Sequence, residues 1–289
     1  MFISIDIGKS TTRVASSLDL IEIKKVIKFS THQDLKKQIE LLADAIYSVR
    51  DDNDVKAIAL GVTGVVDKKS GRFVKSPNYP ALNGLLFSDL LPDVLKQIPL
   101  FVENDASLGA LGESFFGSGK DKKIIAYITL SSGVGGSLVI KESETSKENS
   151  VKNVFMNRIL ISEIGHHVIS HVDTLIDKSG IAGTFESYCS GSMFEQRYGV
   201  KPEKDIDPKI WKEYSKNLST GILNVLAFWK PEIIVLGGGL SIHNFESFYP
   251  SFLEELKKQS FFEVPEIKKA YLGDDSGIYG GFVLLKLNL

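Results

Sequence analysis

The stretch Leu100–Gly112, LFVENDASLGALG, decides how the chain is read. Leu100, Phe101 and Val102 form the apolar end of a strand. Glu103, Asn104 and Asp105 follow, and a small-residue segment then begins a helix. Polar side chains at the carboxyl end of a strand, with a helix N-terminus behind them, are where α/β sheets place ligand-binding groups. Asn104 and Asp105 are also favoured helix caps. Taken by itself the stretch favours capping, because caps are commoner than catalytic groups.

Outward from this stretch, the bulk properties bound the answer. A chain of 289 residues holds two ordinary domains or one large one, and 43% hydrophobic with 24% charged residues supports a sizeable core. A net charge of −2 argues against a nucleic-acid or anionic-membrane partner. A single cysteine, Cys189, excludes an internal disulfide and any cysteine-rich zinc site. The start, MFISIDIGKS, lacks the pattern of a signal peptide, and no apolar run reaches the ~20 residues needed to span a bilayer. A soluble, cytoplasmic protein without membrane or nucleic-acid partners is expected.

Along the chain, Phe2–Asp6, Thr12–Ser16 and Ile21–Phe29 read as a β-meander with a turn near Asp19. Thr31 and Asp34 resemble a capping box, and Leu35, Ile39, Leu42, Ile46 and Val49 recur at helical spacing over Leu35–Val49. Val55–Leu60 is a buried strand, Ser70-Gly71 a hairpin tip, and Phe87–Lys96 a helix leading into the opening stretch. The second half repeats the theme. Strands over Ile124–Leu130 and Ser137–Ile140 flank a glycine turn, and Lys141–Lys152 is a polar loop. Asp207-Pro208 starts a long helix that Pro231 ends. Glu232–Leu236 is a strand, Phe245–Leu256 a helix, and Ser276–Leu287 a last, glycine-containing helix. This alternation predicts two α/β lobes with a cleft between them.

Several turns could carry chemistry, each with a plainer reading beside it. Asp6, at a strand end, precedes Gly8, Lys9, Ser10, Thr11 and Thr12, whose backbone N–H groups and hydroxyls suit phosphate oxygens. Asp6 could hold Mg²⁺ directly or through water; the plain reading is a hairpin turn. Ser132, Gly133 and Gly135 form a second strand–hydroxyl–glycine turn, or a flexible hairpin. Glu163 and His166, separated by Gly165, make a compact acceptor/donor pair suited to vicinal hydroxyls; structural roles are expected for His167 and His171. Glu186 follows a glycine turn and could simply favour a helix dipole. Gly237, Gly238 and Gly239 could admit a flat adenine, or merely turn a strand into a helix.

In order, DIGKSTTR (6–13), GVTGVVD (61–67), SPN (76–78), VENDASLGALGE (102–113), TLSSGVGGS (129–137), EIGH (163–166), GTFESYCSG (183–191) and VLGGGLS (235–241) resemble the ROK family of repressors and sugar kinases, within the actin-like/hexokinase ATPase superfamily. The resemblance spans nearly the whole chain. It implies an α/β, two-lobed actin-like ATPase (ribonuclease H-like) fold, with mixed sheets flanked by helices. Residues 1–112 would form the N-terminal lobe, with the final helix, about 276–289, packing back on it. Residues 113–289 would form the C-terminal lobe for nucleotide binding and dimerisation.

The resemblance further implies an ATP- and Mg²⁺-dependent kinase that phosphorylates a hexose or N-acetylhexosamine at the 6-hydroxyl, acting as a homodimer. Asp105 would be the base. Asn78, Asn104, Glu163, His166 and Glu186 would contact sugar hydroxyls. Asp6, Gly8, Ser10 and Thr12 match the first phosphate motif, Ser132, Gly133 and Gly135 the second, and Gly237–Gly239 the adenosine motif. The chain also departs from the family pattern. Lys9 replaces a second glycine, Ser131-Ser132 replaces Gly-Thr, and Ser162 replaces the glycine before Glu163. The family's zinc motif, a histidine with three cysteines, is absent; Asp177, Ser179 and Thr184 stand about where the cysteines belong, so no structural zinc is expected. The alternative reading is a non-catalytic sugar-binding sensor of the same fold, motivated by the altered phosphate turns. An acetate-kinase-like or chaperone-like ATPase would have no reason for EIGH after END.

Overall fold

The computed structural model describes residues 1–76, 79–141, 158–172, 175–203 and 205–289. They form two units, Met1–Phe115 with Asp275–Leu289, and Phe116–Asp274. The first opens as an antiparallel meander of β1 (Phe2–Ile7), β2 (Thr11–Ser17) and β3 (Lys25–Ser30). The third strand starts later than its apolar run suggests. Asp19 Oδ1 accepts the N–H groups of Ile21 and Glu22, each at 2.9 Å, and holds that segment as a turn. Helix α1 (Leu35–Arg50) is capped by Asp34, which accepts from Lys37 N. Thr31, the expected first residue of a capping box, instead gives its hydroxyl to the Gly8 carbonyl.

β4 (Ala57–Val62) pairs parallel to β1, and β5 (Val65–Asp67) with β6 (Arg72–Lys75) forms a small hairpin. The helix expected over Phe87–Lys96 is instead two short 3-10 turns, Phe87–Leu90 and Asp93–Leu95. Pro92 forces Leu91 into extended backbone (φ −102°, ψ 148°) and interrupts the run. β7 (Leu100–Asn104) pairs parallel to β4 and leads into α2 (Asp105–Phe115), giving the strand order β3-β2-β1-β4-β7.

The second unit repeats this order as β10-β9-β8-β11-β12. Its meander is β8 (Ile124–Leu130), β9 (Val134–Ile140) and β10 (Arg158–Ser162). Helices α3 (Phe185–Cys189), α4 (Gly191–Tyr198) and α5 (Pro208–Trp229) follow; the last has Asp207 as its cap and Pro208 at its first position. β11 (Ile233–Gly237) enters α6 (Gly239–Gln259), and β12 (Glu266–Lys269) completes the sheet. Its core is aromatic, with Phe185, Phe194, Tyr214, Phe248 and Phe252 fully buried.

The chain ends in α7 (Ser276–Asn288), which belongs to the first unit. Strand alternation sets what α7 meets. Ile3, Ile5 and Ile7 of β1 join the core that contains Leu42, Ile46 and Val49 of α1. Ser4 and Asp6 lie on the other face, where a Cβ at Gly281 would strike Ser4 Oγ and one at Gly277 would lie 2.8 Å from Asp6 Oδ2. Four helical residues rise about 6 Å and two strand residues about 6.6 Å, so Gly277 and Gly281 fall in step with Asp6 and Ser4. Among the described residues no helix is long and apolar enough to cross a membrane.

Candidate active site

In the first unit the candidate residues collect at the carboxyl ends of three neighbouring parallel strands. The register aligns Asp6 with Gly61 and Glu103, and Ile7 with Val62 and Asn104. Strands lie 4.7–4.9 Å apart, so Asp6 and Glu103 are separated by about 10 Å along this row. The Asp6 carboxylate is largely buried, with Arg13 Nη1 at 3.8 Å from Oδ2. It occupies space that glycines leave open. A Cβ at Gly61 would come within 3.4 Å of Oδ1, and one at Gly277 would crowd Oδ2.

The turn after β1 is closed by Gly8 N–H to the Thr11 carbonyl at 3.0 Å and held from beneath by a directional chain of hydrogen bonds. Gln38 Nε2 donates to Thr12 Oγ1 (2.9 Å), and Thr31 Oγ1 donates to the Gly8 carbonyl (2.8 Å). Thr12 therefore gives its proton to Thr31 across 2.9 Å. Thr12 is fully buried, and its hydroxyl is engaged on both sides in holding the turn. Lys9 and Ser10 are exposed, and Thr11 is half-buried. Of this turn's candidate side chains, those three face solvent. Gln38 and Thr31 were not visible as participants, because their partners lie far off in sequence.

At the second strand end, Asn104 carries the capping. Its Oδ1 accepts Ala106 N at 2.9 Å and Ser107 N at 3.3 Å, the second and third residues of α2, while its Nδ2 donates to the Gly64 carbonyl at 3.3 Å. Asp105 is the first residue of α2, half-buried, with Oδ1 accepting Ala106 N at 2.9 Å. Glu103 is buried. It accepts Asn104 N at 3.0 Å and Lys68 Nζ at 2.5 Å. Lys68 follows β5, and no sequence spacing foretold this pairing. Its removal would leave a buried carboxylate short of a charged donor, so Lys68→Met is expected to cost about 2 kcal/mol in urea unfolding. A loss below about 0.5 kcal/mol would show the pair to be energetically neutral.

In the second unit the two glycine turns follow β8 and β11, which pair parallel with Thr129 opposite Gly237. Ser131 N donates to the Gly133 carbonyl at 2.9 Å and Gly191 N to the Ser131 carbonyl at 2.6 Å. Ser192 Oγ donates to the Ser132 carbonyl at 2.5 Å, so the N-terminal turn of α4 anchors this loop. Gly238 has φ +84°, and a Cβ there would strike the Leu130 carbonyl, which requires glycine; Gly239 then begins α6. Gly135 lies in β9 opposite Thr129.

Glu186 sits against the first of these turns. Its Oε2 accepts Val134 N at 2.9 Å, and a Cβ at Gly133 would come within 2.7 Å of that oxygen. Glu163, mostly exposed, places Oε2 3.9 Å from His166 Nε2, and His166 Nδ1 lies 3.3 Å from Asp177 Oδ2. His167 donates from Nδ1 to the Ile164 carbonyl, and its ring lies 5.2 Å from that of Phe185; burial lowers its pKa. A structural role accounts for it. Asn78 lies outside the described residues.

Asp177 is the densest polar node here. Burial alone would raise its pKa, but hydrogen bonds from Ser179 Oγ, Thr184 Oγ1 and the N–H groups of Ile181 and Ser179 prevail and hold it at about 2. A depressed carboxylate pKa contributes stability that is present above the unfolded value near 4 and is lost as pH falls toward 2. The difference is on the order of 2 kcal/mol. Chemical denaturation of wild type and Asp177→Asn between pH 5 and pH 2.5 is expected to show the steeper loss in wild type.

Known proteins resemble the chain over its full length. It is 25% identical to glucokinase of Thermotoga maritima, with 98% of this chain and 96% of that protein covered. It is 25% identical to N-acetyl-D-glucosamine kinase of Aliivibrio fischeri, covering 98% and 99%. The crystal structure of a ROK family glucokinase from Streptomyces griseus, in complex with glucose and AMPPNP, matches with a TM-score of 0.77 at 22% identity over 98% of each chain. The fold is thus the mixed α/β fold of the actin-like ATPases. The ROK family model matches residues 2–288, and the chain belongs to the ROK family.

Proposed function

We propose that the protein is an ATP-dependent sugar kinase that transfers the γ-phosphate to the 6-hydroxyl of a hexose or N-acetylhexosamine. The observation that carries this reading is the division of labour at the end of β7. Asn104 supplies the cap of α2, so the carboxylate of Asp105 is not needed for that purpose and stands at the carboxyl end of a parallel strand. Relatives with kinase names support the class of reaction.

In this reading Asp105 accepts the proton of the attacking hydroxyl and orients its oxygen. In a loose transition state the base contributes about 10²–10⁴-fold, and positioning with charge stabilisation contributes the rest. Asn104, Glu163, His166 and Glu186 bind sugar hydroxyls, with Asn78 joining them. Discrimination arises because a site built to hydrogen-bond a hydroxyl leaves buried polar groups unpaired with the wrong sugar. The turns at Gly8–Thr12 and Ser132–Gly135 hold phosphates, Lys9, Ser10 and Thr11 from the solvent side and Thr12 by bracing its loop. Gly237–Gly239 receives the adenosine. The Asp6 carboxylate, in a space kept open by Gly61 and Gly277, suits Mg²⁺ held through water. Mg²⁺ bound with ATP would neutralise charge developing on the phosphates. The reading includes a cytoplasmic homodimer without nucleic-acid or membrane partners.

A coupled ADP-release assay over glucose, mannose, fructose, allose, N-acetylglucosamine and N-acetylmannosamine tests the proposal. Turnover with at least one is expected. Calorimetric sugar binding without turnover, and without binding of an ATP analogue plus Mg²⁺, would replace the kinase reading by that of a sugar sensor.

A further inference from the structure

We infer that Asp177 takes the place of a structural zinc ion in this chain, and that it is a positioning residue that fixes the tautomer of His166 and the placement of the helix bearing Glu186. The inference rests on the proposed sugar site, of which it names the supporting structure.

The donor set does not fit zinc. At the four motif positions stand His166, Asp177, Ser179 and Thr184, so two of the four side chains are neutral hydroxyls, which zinc sites rarely use. Among the described residues no cluster of three or more His, Cys, Asp or Glu side chains could hold a metal ion. The Asp177 carboxylate is moreover saturated from within. Oδ1 accepts Ser179 N (2.8 Å), Ser179 Oγ (2.5 Å) and Ile181 N (3.2 Å). Oδ2 accepts Thr184 Oγ1 (2.6 Å) and faces His166 Nδ1 (3.3 Å). A carboxylate offers about four lone-pair sites, and these contacts occupy them.

Two lines of connection leave this node, and both lead to candidate sugar ligands. Along the first, an ionised carboxylate only accepts, so the contact with His166 requires the proton on Nδ1 and, in the neutral imidazole, leaves Nε2 as an acceptor. A sugar hydroxyl can donate to that nitrogen, with the Glu163 carboxylate 3.9 Å away from it. Along the second, Thr184 donates to Asp177 and with the same oxygen accepts Ser187 N at 3.1 Å as the N-cap of α3. Glu186 is in the first turn of that helix, and its Oε2 is in turn fixed by Val134 N. One buried carboxylate thus orders both side chains. A tetrahedral metal would tie the same four positions together through its ligand geometry. Hydrogen bonds here do so through a shared acceptor, with no dependence on metal supply.

The test uses the full chain. Long-range ¹H–¹⁵N spectra of the imidazoles, recorded at a pH where they are neutral and with His166 assigned by loss of its signal in His166→Ala, are expected to show Nδ1 protonated and Nε2 bare. Metal analysis of the purified protein is expected to find no stoichiometric zinc. Asp177→Asn is expected to raise the sugar KM about tenfold, with kcat and the KM for ATP within about twofold of wild type. In a His166→Ala background the part of that increase carried by His166 should disappear, and the part carried by the helix of Glu186 should remain. A proton on Nε2 in wild type, one zinc per chain, or an unchanged sugar KM in Asp177→Asn would each overturn the inference. A wild-type protein that turns over no sugar would instead refute the kinase reading, and the tautomer and the metal content, which need no turnover, would still decide the role of Asp177.

Discussion

Asp105→Asn is expected to reduce phosphoryl transfer by about 10²–10⁴-fold while the protein stays folded. Asparagine keeps the shape and an oxygen for Ala106 N–H, and Asn104 keeps its cap on α2. The favourable charge at a helix N-terminus is lost, worth about 0.3–1 kcal/mol. Activity and stability therefore separate. The thermal midpoint should move by a few degrees at most, whereas ADP release with the best sugar of the panel should fall to a small residue. Retention of full turnover would place the base elsewhere, and a collapse in stability would assign Asp105 to the fold.

The largest effect on stability is expected at Gly280. A Cβ built there strikes the backbone carbonyl of Leu108 in α2, and one at Gly112 strikes the carbonyl of Ser276. Both obstacles are backbone, so neither can rotate aside, and relief requires the two helices to separate. Gly280→Ala is expected to cost about 3 kcal/mol, at the upper end of overpacking effects, even though alanine favours helix formation by about 1 kcal/mol. Gly239→Ala serves as the contrast for folding alone. It lies in a helix with open space around the new methyl, and it is expected to stay within about 1 kcal/mol of wild type. Urea unfolding of the two variants decides. Equal stabilities would mean that α2 and α7 yield more readily than their close approach implies.

What the sequence disclosed followed its periodicities. Helix α1 was legible from Leu35, Leu42, Ile46 and Val49 on one face, and α5 from Asp207-Pro208 at its start and Pro231 beyond its end. The glycine turns after β8 and β11 were legible because each ends an apolar run. Errors arose where a nearby competitor won. Asp34 displaced Thr31 as a cap, Asp19 stole the first residues of β3, and Pro92 divided a helical pattern into two turns. The short edge strand β12, with a weak pattern, passed unnoticed.

The candidate residues themselves were identifiable because strand ends and glycine turns have local signatures. Their supports were not, since those are long-range. Nothing near Glu103 points to Lys68, nothing near Thr12 points to Gln38, and nothing near Asp6 announces Gly277 from the far end of the chain. Asp177 is intermediate. Its position relative to His166 and Thr184 was readable, but not that one carboxylate would accept from both.

The return of α7 to the first unit has a consequence for biosynthesis. Residues 116–274 fold as a contiguous segment, whereas Met1–Phe115 must wait for Asp275–Leu289 before the glycine face of α7 can cover Ser4, Asp6 and Leu108. At ribosomal rates of about 5–20 residues per second that interval is roughly 8–30 s. During it that face of the β1–β4–β7 sheet carries α2 without α7, so the earlier-made half of the polypeptide is the later to be completed.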